Sequence, residues 1–374
     1  MKKMPTKYQR LTKKGIKGLT AFILSMVMVM LVLSGCESIS YYSQAIRGHS
    51  QIIFNQQKIN EVLANSDTEE GLKQQLQLSQ DVIAFARKQL RLPKNKSYTK
   101  YVDTGREYAV WNVVATPRYS VDPLGHCFPI TGCVSYKGYY ALDEARAYAG
   151  RLKDDGYDVS IGSVVAYSTL GWFDDPLLNT MLTDDEVALA GTLIHELTHQ
   201  QVYLKGDTAF NESFATAVEE LGLQKWLQNI GKEAQWQRYQ IDKRGRQQVL
   251  SLILRHRKLM AKAYEGISDE ANDESIALKA LLFSDLKNAY QIMRSEGRNY
   301  GRFDQWFNSD LNNASLVLFA DYNQWVPAFK QLHEQTDTWS QFYVEVEEMA
   351  QLDSESRNKQ LQQLTDKWLV EHAK

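Results

Sequence analysis

Apolar side chains between residues 38 and 92 recur at helical intervals: Ile46, Ile52, Ile53, Ile59 and Leu63 in one run, Leu72, Leu76, Ile83 and Leu90 in another. The spacing predicts two helices, the second capped by Ser66-Asp67 and ended before Pro93. From Tyr108 the texture turns β-branched and aromatic, in segments 108–115, 133–140 and 158–167. These predict three or more strands, with one helix from Leu142 to Lys153 between the last two. Asp184-Asp185 can cap a long helical pattern that runs to Lys205-Gly206, a cationic last turn before a terminating Gly. A second helix is expected from near Phe210 through Trp226. The rest is helical in pattern, with breaks near Gly301 and Asn312-Asn313 and with Pro327 tolerated close to a helix start. The expected fold class is α+β, mostly helical, with a small sheet.

Composition narrows the class. The chain has 374 residues, 44% of them hydrophobic, which is enough for one large domain or two ordinary ones. With 21 Gly and 7 Pro it is neither collagen-like nor low in complexity. The net charge of −2 hides an asymmetry, because residues 1–35 hold seven basic residues and no acid. Without them the net charge is −9. A body that acidic is a poor match for a phosphate backbone, so nucleic acid is set aside as a partner.

The basic residues, the last of them Lys17, precede an apolar run from Leu19 to Leu33, broken only by Thr20 and Ser25. This is the layout of a secretory signal. At roughly 15 residues it is shorter than the ~20 of a spanning helix; an uncleaved membrane anchor is the rival reading. The run ends in Leu33-Ser34-Gly35-Cys36, which resembles the lipobox of bacterial lipoproteins. That resemblance implies an acylated Cys36 as the first mature residue and membrane attachment through its lipid. Glu37 follows rather than the Asp that favours the inner membrane, so it further implies the outer membrane, facing the periplasm. The expected organisation is a signal over 1–35, N-terminal helices over 36–100, a sheet with the site helices over 101–230, and a helical lobe over 231–374.

The other two cysteines, Cys127 and Cys133, have five residues between them. Outside the cytosol they could close a small loop; buried free thiols are the other reading. No C-x-x-C pair is present, which argues against a cysteine-based zinc site.

The sharpest chemical feature is His195-Glu196-Leu197-Thr198-His199. On a helix, residues four apart stack on one face, so both imidazoles can reach one metal ion, with Glu196 beside it. Catalytic zinc usually takes three protein ligands and leaves a fourth position for water. Twelve residues separate His199 from Glu212, in Asn211-Glu212-Ser213-Phe214-Ala215, and Glu219 lies seven further on. The gap fits a short hairpin through Gly206-Asp207.

This pair of segments resembles the gluzincin metallopeptidases, whose aminopeptidase branch carries Asn-Glu-Gly-Phe-Ala with a further Glu seven residues after the ligand. The match has one change, Ser213 for Gly, and a shorter connection than the family's usual ~18 residues. Glu219, separated from His199 by 19 residues, is the rival register. The motif context favours Glu212 as ligand, and Glu219 then shares its face and can hold a ligand His by its other nitrogen. The family's Gly-x-Met-Glu-Asn segment, which grips a substrate amine, is missing. The mature chain also resembles a family of bacterial proteins described as predicted aminopeptidases, through Val134 to Tyr139, Ala166 to Leu178 and Val326-Pro-Ala-Phe329.

These resemblances imply a gluzincin-like lobe holding one Zn2+ on His195, His199 and Glu212, with Glu196 as the base that activates water against a peptide bond. The implied substrate is a peptide, and the implied activity is aminopeptidase. A zinc endopeptidase, or a noncatalytic envelope binding or assembly lipoprotein with a structural metal, are the alternatives. For the oxyanion donor, Tyr167 and Tyr322 are candidates, each with plain packing as its rival role. The aromatic stretch 167–173 reads equally as a groove edge or as core.

Overall fold

The computed structural model describes residues 41–128, 132–166, 174–268, 272–296, 300–319 and 323–372. The chain divides into two compact units, 1–54 and 55–374. In the first, the described residues form one helix, α1, over 41–54. The lipobox with Cys36 lies outside the described residues.

The second unit opens with β1 (Gln57–Lys58), α2 (Ile59–Ala64) and α3 (Glu70–Gln89), then β2 (Lys100–Val102) and β3 (Val110–Thr116). Next come β4 (His126–Phe128), β5 (Gly132–Val134), β6 (Lys137–Tyr139), α4 (Leu142–Asp154), β7 (Asp158–Val164) and β8 (Leu177–Leu178). Helices follow: α5 (Glu186–Thr198), α6 (Thr208–Asn229), α7 (Glu233–Ala263), α8 (Asp273–Ser295), α9 (Arg302–Phe307) and α10 (Asn313–Val317). The last are α11 (Val326–Glu334), α12 (Trp339–Gln351) and α13 (Ser354–Glu371). The protein is a mostly helical α+β fold, as the periodicity predicts.

The strands form three small sheets, ordered β1-β2-β8, β6-β3-β7 and β4-β5. In the second, β3 is central and antiparallel to both neighbours, with Val113 opposite Lys137 on one side and Ile161 on the other. Helix α4 packs beside it, burying Ala145, Tyr148, Ala149 and Leu152.

Three local expectations are corrected. The run from Ile46 to Leu63 is not one helix: residues 55–58 leave it, because Gln57 and Lys58 pair with Tyr101 and Lys100 of β2. Ser66-Asp67 does not cap α3; Asp67 N–H donates to the Asn65 side chain in a turn, and Glu69 is the residue that precedes the helix. The segment 133–140 is two strands, since β5 pairs with β4 whereas β6 pairs with β3.

Helix α5 is apolar on almost every face, and Leu189, Leu193, Ile194 and Leu197 are fully buried. Such burial stabilises by roughly 1.5–3 kcal/mol per side chain. Its partner α6 contributes Phe210 and Phe214, and Phe214 meets Phe329 of α11 and Phe342 of α12. The two helices come close because each carries a glycine at the crossing. A Cβ on Gly222 would lie 2.6 Å from Leu90 and 3.2 Å from Ile194, and one on Gly191 would lie 3.2 Å from the Glu219 carboxylate. A second core joins α7, α8, α9 and α10 through Val249, Ile253, Leu286, Tyr290, Phe307 and Leu316.

Candidate metal centre

Asp185 opens α5 by accepting the N–H groups of Val187 and Ala188. The helix then stops sooner than its apolar pattern predicts: it ends at Thr198, with His199 as its cap, and does not run to Lys205. The bonds from Gln200 N–H to Leu197 O and from Gln201 N–H to Thr198 O close a tight final turn. Gln200 is tied sideways, accepting from Asn95 (2.6 Å) and donating to Ser97 (3.2 Å). The His-Glu-x-x-His segment therefore sits at the end of α5 rather than inside it.

Asn211 shapes the return. Its buried side chain accepts the Leu204 N–H and donates to the Leu204 carbonyl, both at 2.8 Å, clamping the connection to the first turn of α6. Gly206, at φ 86°, supplies a left-handed turn that a side chain would strain. Asp207 caps α6 through the Phe210 N–H, and its other oxygen binds the buried Arg357 of α13 at 2.9 Å.

This hairpin brings His195, His199 and Glu212 together, with one ligand atom from each lying within 4.8 Å of the others. Glu212 Oε2 is 3.2 Å from His195 Nε2 and Glu212 Oε1 is 3.5 Å from His199 Nε2. Donors held about 2.0–2.1 Å from one tetrahedral ion stand roughly 3.3 Å apart, so both edges fit such an ion. Glu219 is not at that apex. Its Oε2 meets the opposite nitrogen of the same ring, His195 Nδ1, at 3.1 Å. Its Oε1 accepts from the Tyr239 hydroxyl of α7, also at 3.1 Å. Among the described residues, the buried Nδ1 of His199 has no hydrogen-bond partner.

Electrostatics divide the two imidazoles. Burial works against charge on His195, but its bonds to Glu212 and Glu219 win and hold its pKa up at about 10. Burial, with the His195 charge adding, pushes His199 down to about 4. Burial would raise both Glu212 and Glu219, yet the His195 bond and the nearby positive charges, of His195 and His199 for Glu212 and of His195 and Lys243 for Glu219, together outweigh it and hold each below the usual carboxylate range. Burial lifts Glu196 to about 7, with Glu212, Asp175 and Glu219 adding and His195 opposing. A carboxyl poised there is matched to proton transfer near neutral pH.

Sequence reasoning missed several residues around this centre. Tyr98 is 1% exposed and left-handed at φ 60°, and its hydroxyl has no hydrogen-bond partner among the described residues. For a bulky residue that conformation costs of order 1–3 kcal/mol. It is held by the bonds from Tyr98 N–H to Asp175 O and from Gln80 to Tyr98 O. Burial drives its pKa well up, with the charges of Glu196 and Asp175 adding, so the ring stands within electrostatic reach of the centre. Tyr203, on the hairpin connection, also feels Glu212 after burial. Nothing in the local pattern singles these residues out. Tyr167 and Tyr322, and the aromatic stretch 167–173, lie outside the described residues. Cys127 and Cys133 are opposite one another in β4 and β5 and are joined by a disulfide.

A cluster of two imidazoles and one carboxylate, with the half-buried carboxyl of Glu196 next to it in sequence, defines a candidate metal site of the kind hydrolases use. The family model described as "Putative aminopeptidase" matches residues 40–361, and the chain belongs to that family. Membership points to a peptidase and hence to a peptide substrate. No curated protein and no solved structure matches the chain.

Proposed function

We propose that the protein is a zinc-dependent metallopeptidase that removes N-terminal residues from peptides. The observation that carries this reading is the pair of 3.2 and 3.5 Å edges from one carboxylate to two imidazoles, with Glu196 adjoining. The donor set, nitrogen from two His and oxygen from one Glu, is the one catalytic zinc uses. His195, His199 and Glu212 would hold the ion, and Glu219 keeps His195 oriented from behind. A zinc ion there supplies Lewis acidity, polarising a peptide carbonyl and acidifying water. Glu196 takes the proton from the attacking water and passes it to the leaving amine.

The cell envelope is the proposed setting, with the chain tethered by lipid on Cys36 to the outer membrane and facing the periplasm. The motif Leu33-Ser34-Gly35-Cys36 after an apolar run supports this. Mass spectrometry of the membrane fraction tests it: an acylated N-terminal Cys36 is expected, and an intact Met1 terminus would overturn it.

The enzymatic reading is tested by metal analysis together with a chelator-sensitive assay on matched free-amine and acetylated peptides. Cleavage of the free-amine form alone is expected. Cleavage of both forms would favour an endopeptidase, the reading that the missing Gly-x-Met-Glu-Asn segment supports. Full zinc loading with no hydrolysis across a broad peptide library would favour a binding or assembly role.

A further inference from the structure

Two consecutive carboxylates on α6 are taken up by two residues one turn apart on α7. Glu219 accepts from Tyr239, and Glu220, which is 1% exposed, pairs with Lys243 and also with Lys330 of α11. The Glu220 pairs latch α7 and α11 to α6. The contact of Tyr239 with Glu219 is of another kind, because the far oxygen of that carboxylate holds His195 Nδ1. The Tyr239 ring is itself fixed, stacked on Trp236 at 5.4 Å between centroids and 16° between planes, with the Arg246 guanidinium 5.7 Å from its centre.

We propose that Tyr239 is a positioning residue for the metal centre, acting through Glu219 to hold the His195 ring in the tautomer and orientation that present Nε2 to the ion. This rests on the metal-site reading above. The carboxylate has one oxygen for each donor. With the Tyr239 hydroxyl on Oε1, Oε2 stays aimed at His195, which keeps its proton on Nδ1 and leaves Nε2 as the ligand atom. The space over Gly191 leaves Oε1 little room to move toward α5, since even a Cβ there would sit 3.2 Å away. Without the hydroxyl, a shielded oxygen loses its donor, and the carboxylate turns to recover one at the expense of His195. The helix that follows the α5–α6 hairpin, α7, thereby sets the grip of that hairpin on its ion.

The test is zinc affinity of the full chain by chelator competition, with folding checked by circular dichroism. Removing a partner of this kind typically weakens metal binding 10–100-fold. Tyr239→Phe, which keeps the ring and its stacking, should weaken zinc about 10-fold. Glu219→Gln should weaken it at least as much, and adding Tyr239→Phe to Glu219→Gln should cost nothing further. As a control, Tyr290→Phe deletes another buried hydroxyl, one that bonds Asp304 in the second core, and should leave zinc affinity unchanged. An unchanged affinity in Tyr239→Phe, full additivity in the double variant, or an equal loss in Tyr290→Phe would each overturn the proposal. If the wild-type chain takes up no zinc, it is the metal-site reading itself that fails, and this proposal with it.

Discussion

The α5–α6 hairpin and the α7–α10 core are built on opposite principles. The core is a cluster of large apolar side chains in which Tyr290 stacks on Phe307 at 3.7 Å, and its cohesion comes from area removed from water. The hairpin instead encloses four ionisable groups, His195, Glu196, His199 and Glu219, that would each be better solvated outside. It tolerates them because glycines at 191 and 222 let the helices approach, and because His195 is bonded at both nitrogens. One region supplies stability that depends little on exact geometry, and the other uses stability to keep polar groups where chemistry needs them.

That contrast can be broken in several ways. The largest effect is expected from Glu196→Gln, which should cut peptide turnover by about 10²–10⁴-fold with zinc content unchanged, read by steady-state rates and metal analysis. A variant as fast as wild type would remove Glu196 from the mechanism. In the core, Leu286→Ala should destabilise by roughly 2–5 kcal/mol in denaturant unfolding, yet leave zinc affinity of the folded protein as it was. A matching loss of affinity would mean the two regions are not separable.

Gly191→Ala sharpens the comparison, because local and tertiary effects have opposite signs. Helix propensity alone would favour the change by about 0.8–1.0 kcal/mol. The new methyl, however, meets the Glu219 carboxylate at 3.2 Å and should weaken zinc about 10-fold in chelator competition.

The smallest effect concerns protons. In the metal-free protein the folded pKa of His195 is raised to about 10, above its unfolded value of ~6.5. Its charged contacts with Glu212 and Glu219 thus stabilise fully below ~6.5, and that contribution is lost as pH rises through about 10. The melting temperature of metal-free protein should fall over that window more than that of Glu219→Gln. Zinc uptake at pH 8 should also release close to one proton, measurable with an indicator dye.

Legibility followed the range of each interaction. His195 and His199 could be paired from spacing, since a helical turn is local and 3.6 residues long. Glu212 needed a motif as well, because the rival Glu219 has an equally plausible distance along the chain. The end of α5 was misread for a physical reason: the pattern to Lys205 is compatible with helix, but Asn211 takes both backbone groups of Leu204 and Asn95 and Ser97 hold Gln200. These bonds join residues 7 to 105 positions apart, beyond any local signal. Tyr239, 20 residues from Glu219, was invisible for the same reason.

Periodicity and motif spacing alone determined that this protein is mostly helical, that its second quarter holds short strands, and that two imidazoles share a helical face. Only the tertiary structure decided which glutamate faces Nε2 and which faces Nδ1, where the first site helix stops, and that α7 reaches the centre through Tyr239. Backbone geometry repeats along the chain and so can be read from it, whereas the roles of two carboxylates on one helix face depend on what a different helix brings to them.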